Sequence, residues 1–113
     1  MTDIKARRRA RRIAQERGLA DFANDTKWRK FFARAAGRIP LEVKLLYEDI
    51  PSPHGLVWIP AENYVEANVI GPELFVFIEW VRSEALVELQ AAAAAVGLEC
   101  QVRDGKGTIY GYR

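Results

Sequence analysis

Apolar side chains follow a helical period in residues 26–37. Five of them recur at spacings of three and four residues, as on one face of a helix: Trp28, Phe31, Phe32, Ala35 and Ala36. Asp25 or Thr26 supplies a side-chain oxygen that can cap the first amides, and Gly37 can take the left-handed conformation that ends a helix. The pattern therefore predicts an amphipathic helix whose aromatic face lies in the core.

Residues 1–18 also have a helical composition, but their apolar positions are mostly alanine. We therefore interpret residues 1–18 as a basic helical arm that docks weakly against the domain or extends from it. Gly18 is placed to end this helix. The arm contains five arginines that could contact an anion: Arg7, Arg8, Arg9, Arg11 and Arg12.

Beyond Pro40 the pattern changes to short β-type segments separated by turn-forming residues. Three strands are predicted, near residues 43–47, 56–59 and 64–69. Residues 74–81 are apolar on both alternating faces except at Glu79, which is typical of an interior strand covered on both sides. We expect this segment to lie at the centre of the sheet.

A third helix and a hairpin are predicted near the end of the chain. Ser83 can cap a helix that continues to residue 95 or 96, where Gly97 would end it. Apolar and polar residues then alternate through residues 98–102, before Asp104 and Gly105, a pair suited to a tight turn. The 113 residues are therefore predicted to form a single α+β domain, with two N-terminal helices, a mainly antiparallel sheet and one further helix before a C-terminal β-hairpin.

The formal net charge of +2 hides a division along the chain. Residues 1–38 contain twelve Lys or Arg and four Asp or Glu, whereas residues 39–113 contain five and eleven. A basic segment of this kind favours an anionic partner such as nucleic acid, but the two parts could equally neutralise each other within one molecule or across a dimer. We expect the partner to be another protein or a second copy of the chain, with nucleic acid as the alternative.

Neither export nor membrane insertion is indicated by the sequence. The first twenty residues lack the apolar run of a secretory signal, and the longest apolar stretches are far below the roughly 20 residues of a membrane-spanning helix. The single cysteine, Cys100, suits a reducing cytoplasm, so we expect a soluble, cytoplasmic protein. With one Cys and one His, a structural zinc site is not expected, and no other metal or cofactor is predicted.

Glu79 is the charged residue that most requires an explanation. A carboxylate in an otherwise apolar strand is costly to bury unless Arg or Lys pairs with it, so we expect a salt bridge, with a functional pocket as the alternative. His54 lies among prolines and glycine in a predicted exposed loop, and the alternation around Cys100 favours packing over reactivity. No catalytic pattern surrounds either residue, so no catalytic residue is assigned.

Three short motifs occur along the chain: Asn24-Asp25-Thr26-Lys27-Trp28, Ile78-Glu79-Trp80 and Ile109-Tyr110-Gly111-Tyr112. Together they resemble an uncharacterised bacterial family of small proteins, a domain of unknown function, from about residue 19 onward. The resemblance implies no activity. It marks Asn24 to Trp28, together with Glu79 and Trp80, as candidate signature or partner-binding residues.

These features favour a protein-binding or regulatory module of the bacterial cytoplasm, and an immunity-type protein that neutralises a toxin is one such module. The first alternative is a nucleic-acid-associated protein that contacts phosphates without sequence preference through the basic helix. The second alternative is an enzyme with a site near Glu79 or His54.

Overall fold

Residues 2–113, which the computed structural model describes, form three α-helices and six strands, with side chains described from Ile4 onwards. The predicted α+β class and the order of two helices, a sheet, a third helix and a C-terminal hairpin are confirmed. The elements are α1 (Thr2–Glu16), α2 (Asp25–Ala35), β1 (Glu42–Leu45), β2 (Tyr64–Ala67), β3 (Ile70–Leu74), β4 (Ile78–Ser83), α3 (Leu86–Ala95), β5 (Gln101–Arg103) and β6 (Lys106–Tyr110).

Four of the strands form the main sheet, in the order β1-β4-β6-β5, and every neighbouring pair is antiparallel. β2 and β3 form a separate antiparallel hairpin. Val43, Val81 and Ile109 lie opposite one another on the three adjacent strands, and all three are fully buried. They form the core face of the main sheet, against which α2 and α3 pack.

The predicted strand 74–81 is right in its second half and wrong in its first. β4 lies inside the sheet, between β1 and β6, but it begins only at Ile78. Leu74 ends β3, a strand absent from the prediction, and Phe75–Phe77 form a 3₁₀ turn with both phenylalanines buried. The apolar run therefore reflects a turn through the core, which periodicity does not distinguish from a buried strand.

Residues 56–59 do not form the predicted strand. Trp58 and Glu66 make an isolated bridge, with both N–H···O distances at 2.9 Å. Pro60 lacks an amide donor, so the ladder with β2 cannot continue beyond this bridge. Val57 is buried while Leu56 and Trp58 are exposed, so this extended segment has one side in the core.

The aromatic helix is α2, and its predicted core face is confirmed at Trp28, Phe31, Phe32 and Ala35. Its cap is neither Asp25 nor Thr26. Asn24 takes the extended backbone conformation of a cap, and its Oδ1 accepts a hydrogen bond from the Lys27 N–H at 2.9 Å. Gly37 follows the helix with φ of 70°, the left-handed conformation predicted for it.

α3 begins later than Ser83 because that residue is still the last residue of β4. The Ser83 Oγ accepts a hydrogen bond from the Ala85 N–H, and the helix starts at Leu86. Leu89 of α3 packs so closely over β6 that a Cβ added to Gly107 would lie 2.7 Å from its Cδ2. The hairpin between β5 and β6 turns at Asp104 and Gly105, both with positive φ, as predicted.

α1 lies against the domain through two small residues. Ala10 and Ala14 are buried, whereas the arginines around them are exposed. The segment that follows α1 pairs with the end of the chain: the Ala20 N–H donates to the Arg113 carbonyl at 3.0 Å and the Arg113 N–H donates to the Ala20 carbonyl at 2.9 Å. Backbone hydrogen bonds between the residues after α1 and the residues after β6 therefore also attach α1 to the domain.

We predict that Trp28→Ala will lower the free energy of unfolding by roughly 3–5 kcal/mol, because the side chain is fully buried against Phe31 and Phe32. Urea denaturation at pH 7 measures the loss. Trp58→Ala is the matched control, since that ring is partly exposed and should cost much less. Equal losses in the two variants would show that α2 does not anchor the core.

Candidate binding surface

The main sheet has a second face that the core does not cover. Side chains alternate between the faces of a strand, and directly opposite residues share a face. Glu42, Arg82 and Thr108 form one cross-strand row on this second face. Lys44, Trp80 and Tyr110 form the next row. We call this surface the open face.

All five basic residues of the region 39–113 lie on this side of the sheet or at its edge: Lys44, Arg82, Arg103, Lys106 and Arg113. Lys44 is buried together with Glu79, and the other four are partly or fully exposed. The four strands contribute only two acidic residues to it, Glu42 and Glu79. The region that is acidic overall therefore contributes a basic surface. Four of the five cations line a shallow groove of about 480 Å³ over β5 and β6, with Asp104 at the turn beside them.

Glu42 interacts with two of these cations, Arg82 and Lys106. Its Oε1 accepts a hydrogen bond from the Arg82 Nε at 2.9 Å, and the Lys106 Nζ lies 4.0 Å from the same oxygen. The hydrogen bond from Arg82, supported by the charges of Arg82 and Lys106, lowers the pKa of the Glu42 carboxyl below its usual range. Arg103 and Arg113 have no ion-pair partner among the described side chains, so their positive charge is available to a ligand.

Two aromatic rings occupy the middle of the open face. Trp80 and Tyr110 are directly opposite each other on β4 and β6, and both are partly exposed. The guanidinium carbon of Arg82 lies 4.4 Å from the centroid of the Trp80 ring, and that of Arg113 lies 5.1 Å from the centroid of the Tyr110 ring. Each ring thus carries an arginine over it, within the range of a cation–π contact.

Glu79 reaches the open face because β4 contains a bulge. Lys44 is opposite Trp80, but the next residue of β1, Leu45, is opposite Ile78, so Glu79 is the extra residue. On the other side, the N–H groups of Gly111 and Tyr112 both donate to the Glu79 carbonyl, at 2.7 and 3.0 Å. A bulge re-aims side chains, which explains how a carboxylate in an apolar strand avoids the core.

Two cations hold the Glu79 carboxylate. Arg17 binds it with both terminal nitrogens, Nη1 to Oε1 at 2.7 Å and Nη2 to Oε2 at 3.1 Å, and the Lys44 Nζ donates to Oε1 at 3.0 Å. Burial alone would raise the pKa of this carboxyl, but the hydrogen bonds and charges of Arg17 and Lys44 outweigh burial and lower it. The structure therefore provides the basic partners that the sequence analysis required for Glu79.

The five arginines of α1 differ in their surroundings. Arg7 pairs with Asp25 at 3.0 Å, and the Arg9 guanidinium lies 5.0 Å from the centroid of the Tyr47 ring. Arg8, Arg11 and Arg12 are exposed, and Arg11 lines a second cleft, of about 410 Å³, between α1 and the start of α2. Arg11 and Arg12 follow Arg8 by three and four residues, so these three share one exposed side of the helix, whereas Arg7 and Arg9 are engaged within the molecule.

The signature residues 24–28 lie mostly in structural roles at the start of α2. Asn24 caps the helix and Trp28 is in the core, while the Lys27 Nζ donates to the Gly97 carbonyl at 3.2 Å. Asn24, Asp25 and Thr26 also line the 410 Å³ cleft. Trp80 is the signature residue that lies on the open face beside Glu79.

The remaining chemical candidates are separate from the open-face rings. His54 is exposed in a loop, and Cys100 is half-buried, with burial raising the pKa of its thiol. In the described part of the chain, no group of three or more His, Cys, Asp or Glu side chains could hold a metal ion. Within residues 2–113, no helix is both long and apolar enough to cross a membrane.

Comparison of the chain with known proteins gives no evidence on its function, so the open face is the main evidence. No protein-family model, no curated protein and no solved structure matches the chain. The resemblance to an uncharacterised bacterial family stays a proposal based on its three short motifs.

The sequence analysis identified Trp80 and Glu79 but missed the basic residues around them. A signal was present in the alternation of β4 and β6, which places Trp80 with Arg82, and Lys106 with Tyr110, on one side of each strand. Only the pairing of the two strands brings these sets together.

We predict that Glu79→Gln will lower the free energy of unfolding at pH 7 by roughly 1.5–3 kcal/mol, the range for hydrogen bonds to charged groups. The folded-state pKa of Glu79 lies below its unfolded value of about 4.3, so its stabilisation is complete above that pH and is lost as the pH falls through the folded pKa. Urea denaturation from pH 7 to pH 3 should therefore show the wild-type advantage disappearing at acid pH.

Glu48→Gln is the control for this pH series, because Glu48 is exposed. It should cost little at any pH. A difference between wild type and Glu79→Gln that stayed constant down to pH 3 would mean that the charge of Glu79 is not the source of the stability.

Proposed function

We propose that this chain binds nucleic acid and that the open face is the contact surface. The observation that carries the proposal is the convergence of four of the five basic residues of region 39–113 on one sheet face, beside two partly exposed aromatic rings. Phosphate groups need cations that are not already neutralised. Arg103 and Arg113 meet that requirement on the groove of the open face.

The open face supports this function better than the basic helix does. Arg7 is paired with Asp25 and Arg9 is stacked against Tyr47, so part of the charge of α1 is already used within the molecule. The exposed arginines of α1 add positive potential that would attract a polyanion from solution. The open face adds aromatic rings, which α1 lacks.

Binding should be strongly reduced by salt, because each phosphate contact releases condensed counterions. Four contacts with a single strand would lower the affinity roughly fiftyfold between 50 and 200 mM salt. Fluorescence anisotropy of labelled oligonucleotides at several salt concentrations measures this. Arg103→Gln combined with Arg113→Gln should weaken binding and reduce the log–log salt slope by about 1.4, the share of two contacts.

The matched control changes the same charge elsewhere. Arg34 and Arg38 are exposed on and just after α2, so Arg34→Gln with Arg38→Gln removes two positive charges without touching the open face. It should leave most of the affinity and the slope unchanged. If both double variants lose the same affinity, net charge and not the open face governs binding; if wild type binds nothing at low salt, the proposed function is wrong.

A second candidate function is protein binding, and an exposed apolar segment favours it. Ile50 is 72% exposed, Leu56 48% and Trp58 41%. Leu56 and Trp58 point to the same side because they alternate with buried Val57. Glu66, directly opposite Trp58, adds negative charge to this side, which would suit a second copy presenting its basic open face. An immunity-type role would require an interface of this kind with a different protein.

Self-association through this segment gives a direct test. Sedimentation velocity over a range of protein concentrations should show wild type associating and Leu56→Asp with Trp58→Glu remaining monomeric, because buried apolar area would be lost. Val87→Asp is the control, since Val87 is 77% exposed on α3. Wild type that stays monomeric throughout would exclude a second copy as the partner of this segment.

A further inference from the structure

The rings of the open face are arranged as two adjacent stacking positions. Trp80 and Tyr110 are directly opposite on neighbouring antiparallel strands, a relation that places Cβ atoms about 4.5–5.5 Å apart. Each ring has an arginine over it, Arg82 over Trp80 and Arg113 over Tyr110. Unpaired bases stack on both aromatic rings and arginine guanidinium planes in nucleic-acid complexes.

From this arrangement we infer that the open face binds single-stranded nucleic acid, with one unpaired base stacked at the Trp80–Arg82 pair and a second at the Tyr110–Arg113 pair. The inference rests on the proposed function and specifies its ligand. The occupant is a single strand because its bases are free to separate and lie on the two pairs. A duplex keeps its bases stacked on each other, so it would use only the cations of this face.

Arg82 is fixed by an ion pair and Arg113 is not, so we expect the two arginines to contact the ligand in different ways. Glu42 binds Arg82 through Nε at 2.9 Å and Nη2 at 3.4 Å, so the guanidinium is fixed beside Trp80. Arg113 has no ion-pair partner among the described side chains and lies at the edge of the groove with Arg103 and Lys106. Arg82 is therefore part of a rigid stacking layer, whereas Arg113 can also reach a phosphate beside the second base.

The charge around the rings fits a phosphate backbone. Lys106 and Arg103 are opposite each other in the β5–β6 hairpin, and both line the groove that contains Tyr110. A strand whose bases lie on Trp80 and Tyr110 would run its phosphates past these cations. Each such contact adds salt-dependent affinity with no preference for sequence, and base stacking is likewise tolerant of sequence.

Tryptophan fluorescence can report on the first position specifically. The chain has three tryptophans, of which Trp28 is 1% exposed and shielded from a ligand. In a Trp58→Phe background, a change in emission on binding therefore reports on Trp80. Titration with octamers of oligo(dT) and oligo(U) should quench this emission. An abasic octamer with the same number of phosphates should bind roughly tenfold or more weaker and leave the emission nearly unchanged.

Variants separate stacking from charge. Trp80→Leu and Tyr110→Leu should each lower the affinity for the single strands roughly tenfold while leaving the abasic octamer unaffected, and Trp80→Phe should retain most of the wild-type affinity. Thermal unfolding checks that each variant is folded. If Trp80→Leu does not fold, Tyr110→Leu and the emission change in the Trp58→Phe background still decide the matter.

The outcomes distinguish this inference from the proposed function. If the abasic octamer or a duplex of the same length binds as tightly as oligo(dT) and oligo(U), stacking is refuted while nucleic-acid binding stands. If none of these ligands binds at low salt, both fail. If polyglutamate binds as tightly as the oligonucleotides, the open face is a site for acidic proteins and the inference is overturned. Stronger binding of oligo(U) than of oligo(dT), or the reverse, would identify which single strand the face prefers.

Discussion

The pairing of the Glu79 carboxylate with two cations is the interaction on which the arrangement of the sheet depends. Arg17 follows α1, Lys44 belongs to β1 and Glu79 to β4, so three separate parts of the chain meet at one carboxylate. A charge taken out of water without such partners is costly, so these segments are constrained to meet. The carbonyl of the same residue accepts the N–H groups of Gly111 and Tyr112, which adds the end of the chain to the junction.

The bulge at Glu79 also separates the two faces of β4. It allows Ile78 and Val81 to remain in the core while Glu79 lies near Lys44 and Trp80. An uninterrupted alternation would have placed Glu79 on the core side with Val81. The extra residue therefore protects the apolar face from a charge and supplies the anion that neutralises Lys44 beside the rings.

The folded chain groups its charged residues differently from the linear sequence. Region 39–113 has an acidic sum, yet its five cations share one side of the main sheet with Glu42 and Glu79. Glu42 fixes Arg82, and Arg103 and Arg113 keep their charge unpaired among the described side chains. Fixed and available cations around Trp80 and Tyr110 are a combination suited to a ligand that is both planar and anionic.

The sequence by itself determined the features that depend on neighbouring residues. The stripe of α2, the positive-φ glycines after helices and the Asp104-Gly105 turn all follow from spacings within a few positions, and the structure contains them. The α+β class follows from the same local patterns.

The tertiary structure decided what depends on pairing between distant residues: the division of 74–81 between β3, a turn and β4, the loss of the predicted strand at 56–59, and the bulge at Glu79. It also decided the candidate surface, because Arg82, Arg103 and Arg113 are isolated in the sequence and become neighbours only when strand register places them on one face.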